Sequence, residues 1–451
     1  MSDIEEHRKK IEEITLEMIK LLKARTDIAK QIGDAKASLG MTVTDEERED
    51  ALRTQVTKLC KEIDLDQSTA LKFLNLLLNE SVKVQSDNKQ THLSVFLKAK
   101  ALEEEGKKII HLEVGEPDFK PPKEVKTALA EVYDKGYGKY GPAKGITELR
   151  RALSMQEDVD IHNIMICPGA RFAVYLAITT LLNPGDEIIV IEPAWPAYKD
   201  CALNAGIKVR TIKTTLETKW EPSIDQINNA INENTKMIII NYPNNPTGKI
   251  LPEKLLDNII QTAKEHNLYV LSDDIYENYY MGEKPKGFFD YETHVGKEII
   301  TKSFSKSFAM TGFRIGYAIA EESVIDKMSK LQALSLTNVS EPIQYTALQA
   351  LEVDVSENTK IIKSRLESLV KIAKDIGLEF IEPDGAMYLF ARTKHKNFDA
   401  TKFSEKLLEH GVAIAPGEGF GDYKEFFRIT AIDETKLKEG MTILDSILKE
   451  L

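Results

Sequence analysis

The sequence predicts a multidomain chain: an N-terminal all-α module of three helices, then an α/β module with a large, mostly parallel sheet and a smaller α+β domain. Three observations carry this. At 451 residues the chain exceeds what one hydrophobic core usually supports, so two or three domains are expected. Its first stretches repeat apolar residues at helical spacing. Later, short β-rich runs alternate with helical stretches over roughly two hundred residues, which implies a parallel sheet covered by helices.

From Ile4 to about Gly33, the residues Ile11, Ile14, Met18, Leu21, Leu22, Ile28 and Ile32 recur at three- and four-residue steps, the period of a long amphipathic helix. A second helix opens at TDEERE, where Thr44 or Asp45 can cap and acidic residues suit the positive helix terminus. A third is expected from about Asp66 to Gln85. The polar stretch SDNKQTHL, residues 86–93, has no periodicity and reads as a linker. Beyond it, DEIIVIE, TKMIIINY, LYVLSDD and KEIITKSF are strands, and roughly 340–451 mixes a long helix with short strands.

Composition narrows the classes of function. A formal charge of -12 without a basic patch or arm argues against a nucleic-acid binder. The start lacks an apolar signal core and no run of about eighteen apolar residues occurs, so no membrane partner and a soluble, cytoplasmic protein are expected. Cys60, Cys167 and Cys201 are too few and scattered for a disulfide framework or zinc site, so no metal is expected.

Five short stretches stand out in the α/β part. SFSKSFAMTGFR, residues 303–314, sets Lys306 among hydroxyls with Arg314 eight positions on; it is either a snorkelling lysine or a reactive amine beside an anion site. NYPNNPTG follows a β run and turns at a strand's C-terminal end, the edge where ligands bind in open α/β sheets. SDDIYE puts Asp273, Asp274 and Tyr276 at another strand end; PGARF leads into an apolar helix whose first amides suit a phosphate. PAWPAY holds Trp195 in a loop bounded by prolines. Taken singly, each has an ordinary explanation: a turn, a helix cap, a core tryptophan, a glycine that permits a bend.

Taken together, in their order along the chain, they resemble the class I, fold-type I aminotransferases of the aspartate, aromatic and prephenate group, from about Leu93 to the C-terminus. The resemblance implies pyridoxal 5'-phosphate as cofactor. Lys306 would carry the Schiff base and act as the proton-moving base, and Asp273 would pair with the pyridine nitrogen. Tyr276 and Asn245 would bond the ring hydroxyl oxygen, and Trp195 would stack on the ring. Ser303, Ser305 and Arg314, with the amides of Gly169 and Ala170, would hold the phosphate. Tyr140 would reach the phosphate of a neighbouring subunit, which implies a homodimer or larger homo-oligomer. Arg428, with Asn245, would grip the substrate α-carboxylate beside the loop of Gly115. Arg171 stands where acidic-substrate and prephenate-using members carry lysine, and Ser94 near their threonine. A cation there implies that a second carboxylate is accepted. The pair Asp273–Asp274 departs from the commoner Asp-Glu.

In the helical part, Asp45 and Glu49 are four residues apart, as are Ser81 and Gln85, and each pair shares a helix face. Arg25 and Lys36, eleven apart, also share a side. Such N-terminal helices are often a dimerisation or regulatory appendage. The pattern, however, resembles the all-helical chorismate mutases over residues 4 to 88. By that likeness Arg8 and Arg25 bind carboxylates, Lys36 and Gln85 meet the ether oxygen of chorismate, Glu49 meets its ring hydroxyl, and Asp45 and Ser81 lend support. Arg48 fits the pattern too, while Thr15 stands where the family often has an acid.

The expected domains are a mutase domain over 1–88 and an aminotransferase over 89–451, the latter with a large part at about 141–335 and a small part at about 93–140 plus 336–451. The expected function is bifunctional: chorismate to prephenate, then transamination of prephenate, an aromatic 2-oxo acid or aspartate with glutamate or aspartate as donor. The alternatives are an aminotransferase bearing a non-catalytic helical sensor or dimerisation domain, and a lyase on the same cofactor fold.

Overall fold

A computed structural model describes residues 2–38, 45–86, 92–287 and 296–451. The chain divides into two compact units, Met1–Lys89 with Leu203–Ile207, and Gln90–Ala202 with Lys208–Leu451.

The first unit is built from α1 (Ser2–Ser38), α2 (Glu46–Ile63) and α3 (Gln67–Ser86). The first helix continues past Gly33, where the sequence suggested an end, because one glycine costs a helix interior only about 1 kcal/mol. Asp45 caps α2, its side chain accepting from Arg48 N at 3.1 Å; Thr44 lies outside the described residues. Asp64, left-handed at φ 54, ends the helix. Ala29, Cys60, Leu71 and Leu74 are buried among the three helices. Much of the apolar face read on α1 is not: Ile11 is 65% exposed and Ile28 57%. The reason is length. At 37 residues α1 spans about 55 Å, while α3, with 20, spans about 30 Å and covers only part of it.

The second unit opens with α4 (His92–Glu104), so the stretch read as a linker over 86–93 is helical at both described ends; residues 87–91 lie outside the described residues. Next come β1 (Ile110–His111), α5 (Lys123–Asp134), α6 (Thr147–Glu157), β2 (Ile164–Cys167) and α7 (Ala170–Leu181). The strands β3 (Glu187–Glu192), β4 (Lys208–Lys213), β5 (Thr235–Ile240), β6 (Tyr269–Asp273), β7 (Glu298–Ser303) and β8 (Gly316–Ala320) complete a seven-stranded sheet in the order β2-β8-β7-β6-β5-β3-β4. From β4 to β7 all neighbours are parallel; β8 runs antiparallel to both β7 and β2. The C-terminal ends of β2, β3, β5, β6 and β7 therefore share one edge. Strands such as Glu187–Glu192 are buried throughout, as a sheet covered on both faces requires.

The smaller sheet, β12-β13-β10-β9, is antiparallel and built from β9 (Glu379–Phe380), β10 (Tyr388–Arg392), β12 (Ala415–Pro416) and β13 (Phe426–Thr430). Its register sets Arg428 opposite Phe390 on one side and Ala415 on the other, in the middle of the sheet. A separate pair joins β1 to β11 (Val412–Ala413) in parallel. The long helix Ser356–Asp375 packs its buried Leu366, Leu369 and Ala373 in the core of this part.

Candidate active sites

The sheet edge opens into a cavity of about 510 Å³. At one end, α7 begins right after Gly169, whose φ of 83 is available to glycine at little cost. A Cβ there would stand 2.6 Å from Arg314 Nη2, so the guanidinium approaches the helix start only because the side chain is missing. Arg314 donates to Thr311 O at 2.8 Å and Ser303 Oγ to Ser305 Oγ at 2.9 Å. Burial holds the Arg314 pKa below its ordinary value, and nearby Arg171 adds to this. The Arg314 guanidinium, two hydroxyls and a helix N-terminus around one space form a donor set that fits a phosphate dianion.

Asp273 ends β6, 1% exposed, and accepts hydrogen bonds from Tyr198 Oη at 2.6 Å and Thr301 Oγ1 at 3.0 Å. Burial pushes its carboxyl up to about 6, against the pull of these two donors and of Lys306. Such a carboxylate suits a cationic ring nitrogen. Asn241 ties the NNP turn to this strand, donating to Asp273 O at 2.8 Å and accepting from Asn245 N at 3.1 Å. Asp274 is buried outside the cavity lining: it accepts from Ser272 at 2.5 Å, and burial raises it to about 7 against nearby Lys302.

Lys306 follows β7 and donates to Gly115 O, with its ammonium 5.7 Å from the ring centre of Tyr276. Burial is the main cause that lowers its pKa, as a lysine serving as an amine requires. Tyr276 shares a 2.5 Å hydrogen bond with Tyr388, and burial raises its phenol. Arg428, 2% exposed, donates to Asn245 Oδ1 at 2.7 Å and to Glu113 O, and lies 4.3 Å over the ring of Tyr388. Arg171 lies 4.7 Å over the ring of Trp195, and both line the cavity. The core tryptophan is instead Trp220.

The cavity thus brings together Lys306, Asp273, Tyr276, Asn245, Arg428 and Arg314 from four separate stretches, with Gly115, Ala170, Arg171, Trp195, Ser303 and Ser305. Tyr140 is not among them; it is 89% exposed. Ser94 sits in the first turn of α4, and it is Phe96, two residues on, that reaches the lining. Sequence reasoning passed over Tyr198, Thr301, Tyr388 and Glu113. Tyr198 stood in PAWPAY, three residues after Trp195, and carried a signal; Tyr388 carried none.

In the helical unit Arg25 donates to Leu77 O at 2.6 Å and Ser81 Oγ at 2.5 Å, joining α1 to α3, and burial lowers its pKa. Lys36 falls in the last turn of α1 and Glu49 in the first turn of α2, both half-buried. Arg8 is exposed and paired with Glu5 at 3.0 Å. Gln85 lies on α3, but its side chain is outside the described residues.

A lysine amine, a buried carboxylate and a phosphate cradle on a large parallel sheet with a smaller antiparallel sheet define a pyridoxal-phosphate-dependent transferase. The family Aminotransferase class I and II matches residues 107–444, and Chorismate mutase type II matches residues 7–86. The aspartate aminotransferase of Thermotoga maritima is 35% identical over 330 residues, 72% of this chain and 87% of that one. The aspartate/prephenate aminotransferase of Thermus thermophilus is 32% identical over 374 residues, 80% of this chain and 96% of that one. A crystal structure of the Thermotoga maritima aspartate aminotransferase superposes with a TM-score of 0.76 at 33% identity, covering 81% of this chain and 98% of that one. The chain belongs to the class I and II aminotransferases and carries a chorismate mutase type II domain ahead of that fold. No described helix is long and apolar enough to cross a membrane.

Proposed function

We propose that the chain works in aromatic amino-acid synthesis, rearranging chorismate to prephenate in its helical domain and transaminating prephenate, an aromatic 2-oxo acid or aspartate with an amino-acid donor. The observation that carries the proposal is that Arg171 and Arg428 line one cavity on a chain that also bears a mutase domain. Prephenate is a dicarboxylate, and two guanidiniums suit its two charges.

In the larger site Arg314, Ser303, Ser305 and the first amides of α7 would hold the phosphate. Asp273 would keep a proton on the ring nitrogen, Asn245 and Tyr276 would hydrogen-bond the ring oxygen, and Trp195 would pack against the ring. Bound pyridoxal phosphate supplies an electron sink for negative charge at the substrate's α-carbon. Lys306 Nζ, whose ammonium burial disfavours, would take the α-proton and return it. Arg428, steadied by Asn245, binds the α-carboxylate next to Gly115.

In the helical domain no covalent chemistry is needed. The side chains bind the compact form of chorismate and stabilise charge on the breaking ether oxygen. Arg8 and Arg25 bind carboxylates, Lys36 and Gln85 meet the ether oxygen, Glu49 meets the hydroxyl, and Asp45 and Ser81 support them. Arg8 and Arg25 lie on one continuous helix, seventeen residues or about 25 Å apart, more than one small substrate spans. Arg8 is therefore donated across a homodimer, which also suits the exposed apolar face of α1. Tyr140 reaches a partner's phosphate in the same manner, and the three free cysteines suit a cytoplasmic setting.

Steady-state assays test the transamination, with prephenate and aromatic 2-oxo acids as acceptors and glutamate or aspartate as donors; no turnover of prephenate rules it out as the substrate. For the mutase, mixing the R8A and R25A proteins restores chorismate turnover if Arg8 crosses between chains. A helical domain that binds chorismate without turnover would be a sensor instead.

A further inference from the structure

Beside the cavity, between the segment Ile110–Gly115 and β13, four buried polar atoms lack a hydrogen-bond partner among the described residues: His111 Nε2, Glu113 Oε2, Arg428 Nε and Thr430 Oγ1. The seam is tied by Thr430 N donating to Leu112 O at 2.9 Å and by Arg428 donating to Glu113 O. Glu113 is fully buried yet borders the cavity. Its Oε1 lies 2.7 Å from His111 Nδ1, while His111 Nε2 lies 3.2 Å from Glu103 Oε1. An unscreened carboxylate at the wall of a site for dianions repels its ligand in a medium of low dielectric constant.

We propose that His111 is a positioning and specificity residue for transamination: as an imidazolium between Glu113 and Glu103 it screens the buried Glu113 carboxylate, so that the cavity accepts a ligand with two carboxylates. This rests on the reading of Arg428 and Arg171 as carboxylate anchors. The other charged groups facing the pair are Lys100 on α4, paired with Glu103 at 2.7 Å, and Arg428 on β13. The parallel neighbour β11 presents Val412 and Ala413 and no charge. The hydrogen bond to Glu113 raises the His111 pKa above its ordinary value, while burial opposes it. The screen is therefore present at low pH and is lost as pH rises through that raised value, and with it goes affinity for dicarboxylates.

The test uses the holoenzyme and two unreactive ligands, maleate with two carboxylates and 3-phenylpropionate with one, titrated by calorimetry at about pH 6 and about pH 9. In the wild type, maleate affinity falls between the two pH values and phenylpropionate affinity falls by less. H111Q weakens maleate about tenfold and phenylpropionate only about threefold at the lower pH, because the latter carries one charge instead of two, and removes the pH dependence of the ratio. Adding E113Q to H111Q removes the charge that needs screening and restores maleate binding. Equal weakening of both ligands by H111Q, or no recovery in the double variant, overturns the proposal. If neither ligand binds the wild-type holoenzyme, the carboxylate-anchor reading itself fails and the proposal falls with it.

Discussion

Replacing Tyr198 by phenylalanine removes one hydroxyl, and its hydrogen of 2.6 Å reach, from the Asp273 carboxylate. A hydrogen bond to a charged group contributes about 1.5–3 kcal/mol, and one pKa unit is about 1.4 kcal/mol. Asp273, already raised to about 6 by burial, should therefore titrate about one to two units higher in Y198F apoenzyme. The cofactor's ring nitrogen needs the carboxylate ionised, so affinity is full above the Asp273 pKa and is lost as pH falls through it. The assay is spectrophotometric titration of apoenzyme with pyridoxal phosphate across a pH series. The expected result is a wild-type affinity that drops near pH 6 and a Y198F affinity that drops at a pH higher by that shift. An unmoved midpoint, with affinity lowered evenly at every pH, would refute the claim that Tyr198 acts through the charge of Asp273.

The same carboxyl yields a stability prediction of opposite character. Its folded pKa, about 6, lies above the unfolded carboxylate value, so its contribution is favourable at low pH and is lost as pH rises through about 6. D273N apoenzyme should therefore be more stable than wild type near pH 8 by about 2–3 kcal/mol in denaturant unfolding, with the difference gone near pH 4. G169A drives a Cβ against Arg314 and strains a φ of 83, so the pyridoxal phosphate dissociation constant should rise about tenfold or more. R25A removes the link to Leu77 O and Ser81 Oγ and should cut chorismate turnover about a hundredfold or more, read as loss of chorismate absorbance, while transamination by the same protein persists.

Much of the cavity lining was legible because its residues sit at places that local physics marks. Asp273 and Ser303 end apolar strands, Asn245 falls in a turn of Asn, Pro and Gly, and Gly169 precedes an apolar helix. Strand ends and helix starts are written in periodicity and breakers, and open α/β sheets bind ligands there. Arg428 was legible only through family likeness, since a buried arginine in the middle of FFRIT has no local signal. Tyr388, Thr301 and Glu113 were hidden for the same reason: each matters by a partner far away in sequence, as with Tyr276 and Tyr388, 112 residues apart.

The three N-terminal helices and the strands β3, β5, β6 and β7 followed from the sequence alone, because hydrophobic period and turn residues are local properties of a chain; the two families and the cofactor followed from the resemblance that the short motifs carry. The tertiary structure decided what the local pattern does not hold. It set β8 antiparallel in a sheet otherwise parallel from β4 to β7, and it left the α1 stripe partly uncovered, because α3 is too short to reach along it. It also moved the pKa values of Lys306, Asp273 and His111 away from their ordinary values. Those depend on burial and on neighbours brought together by folding, and neither is a function of position in the chain.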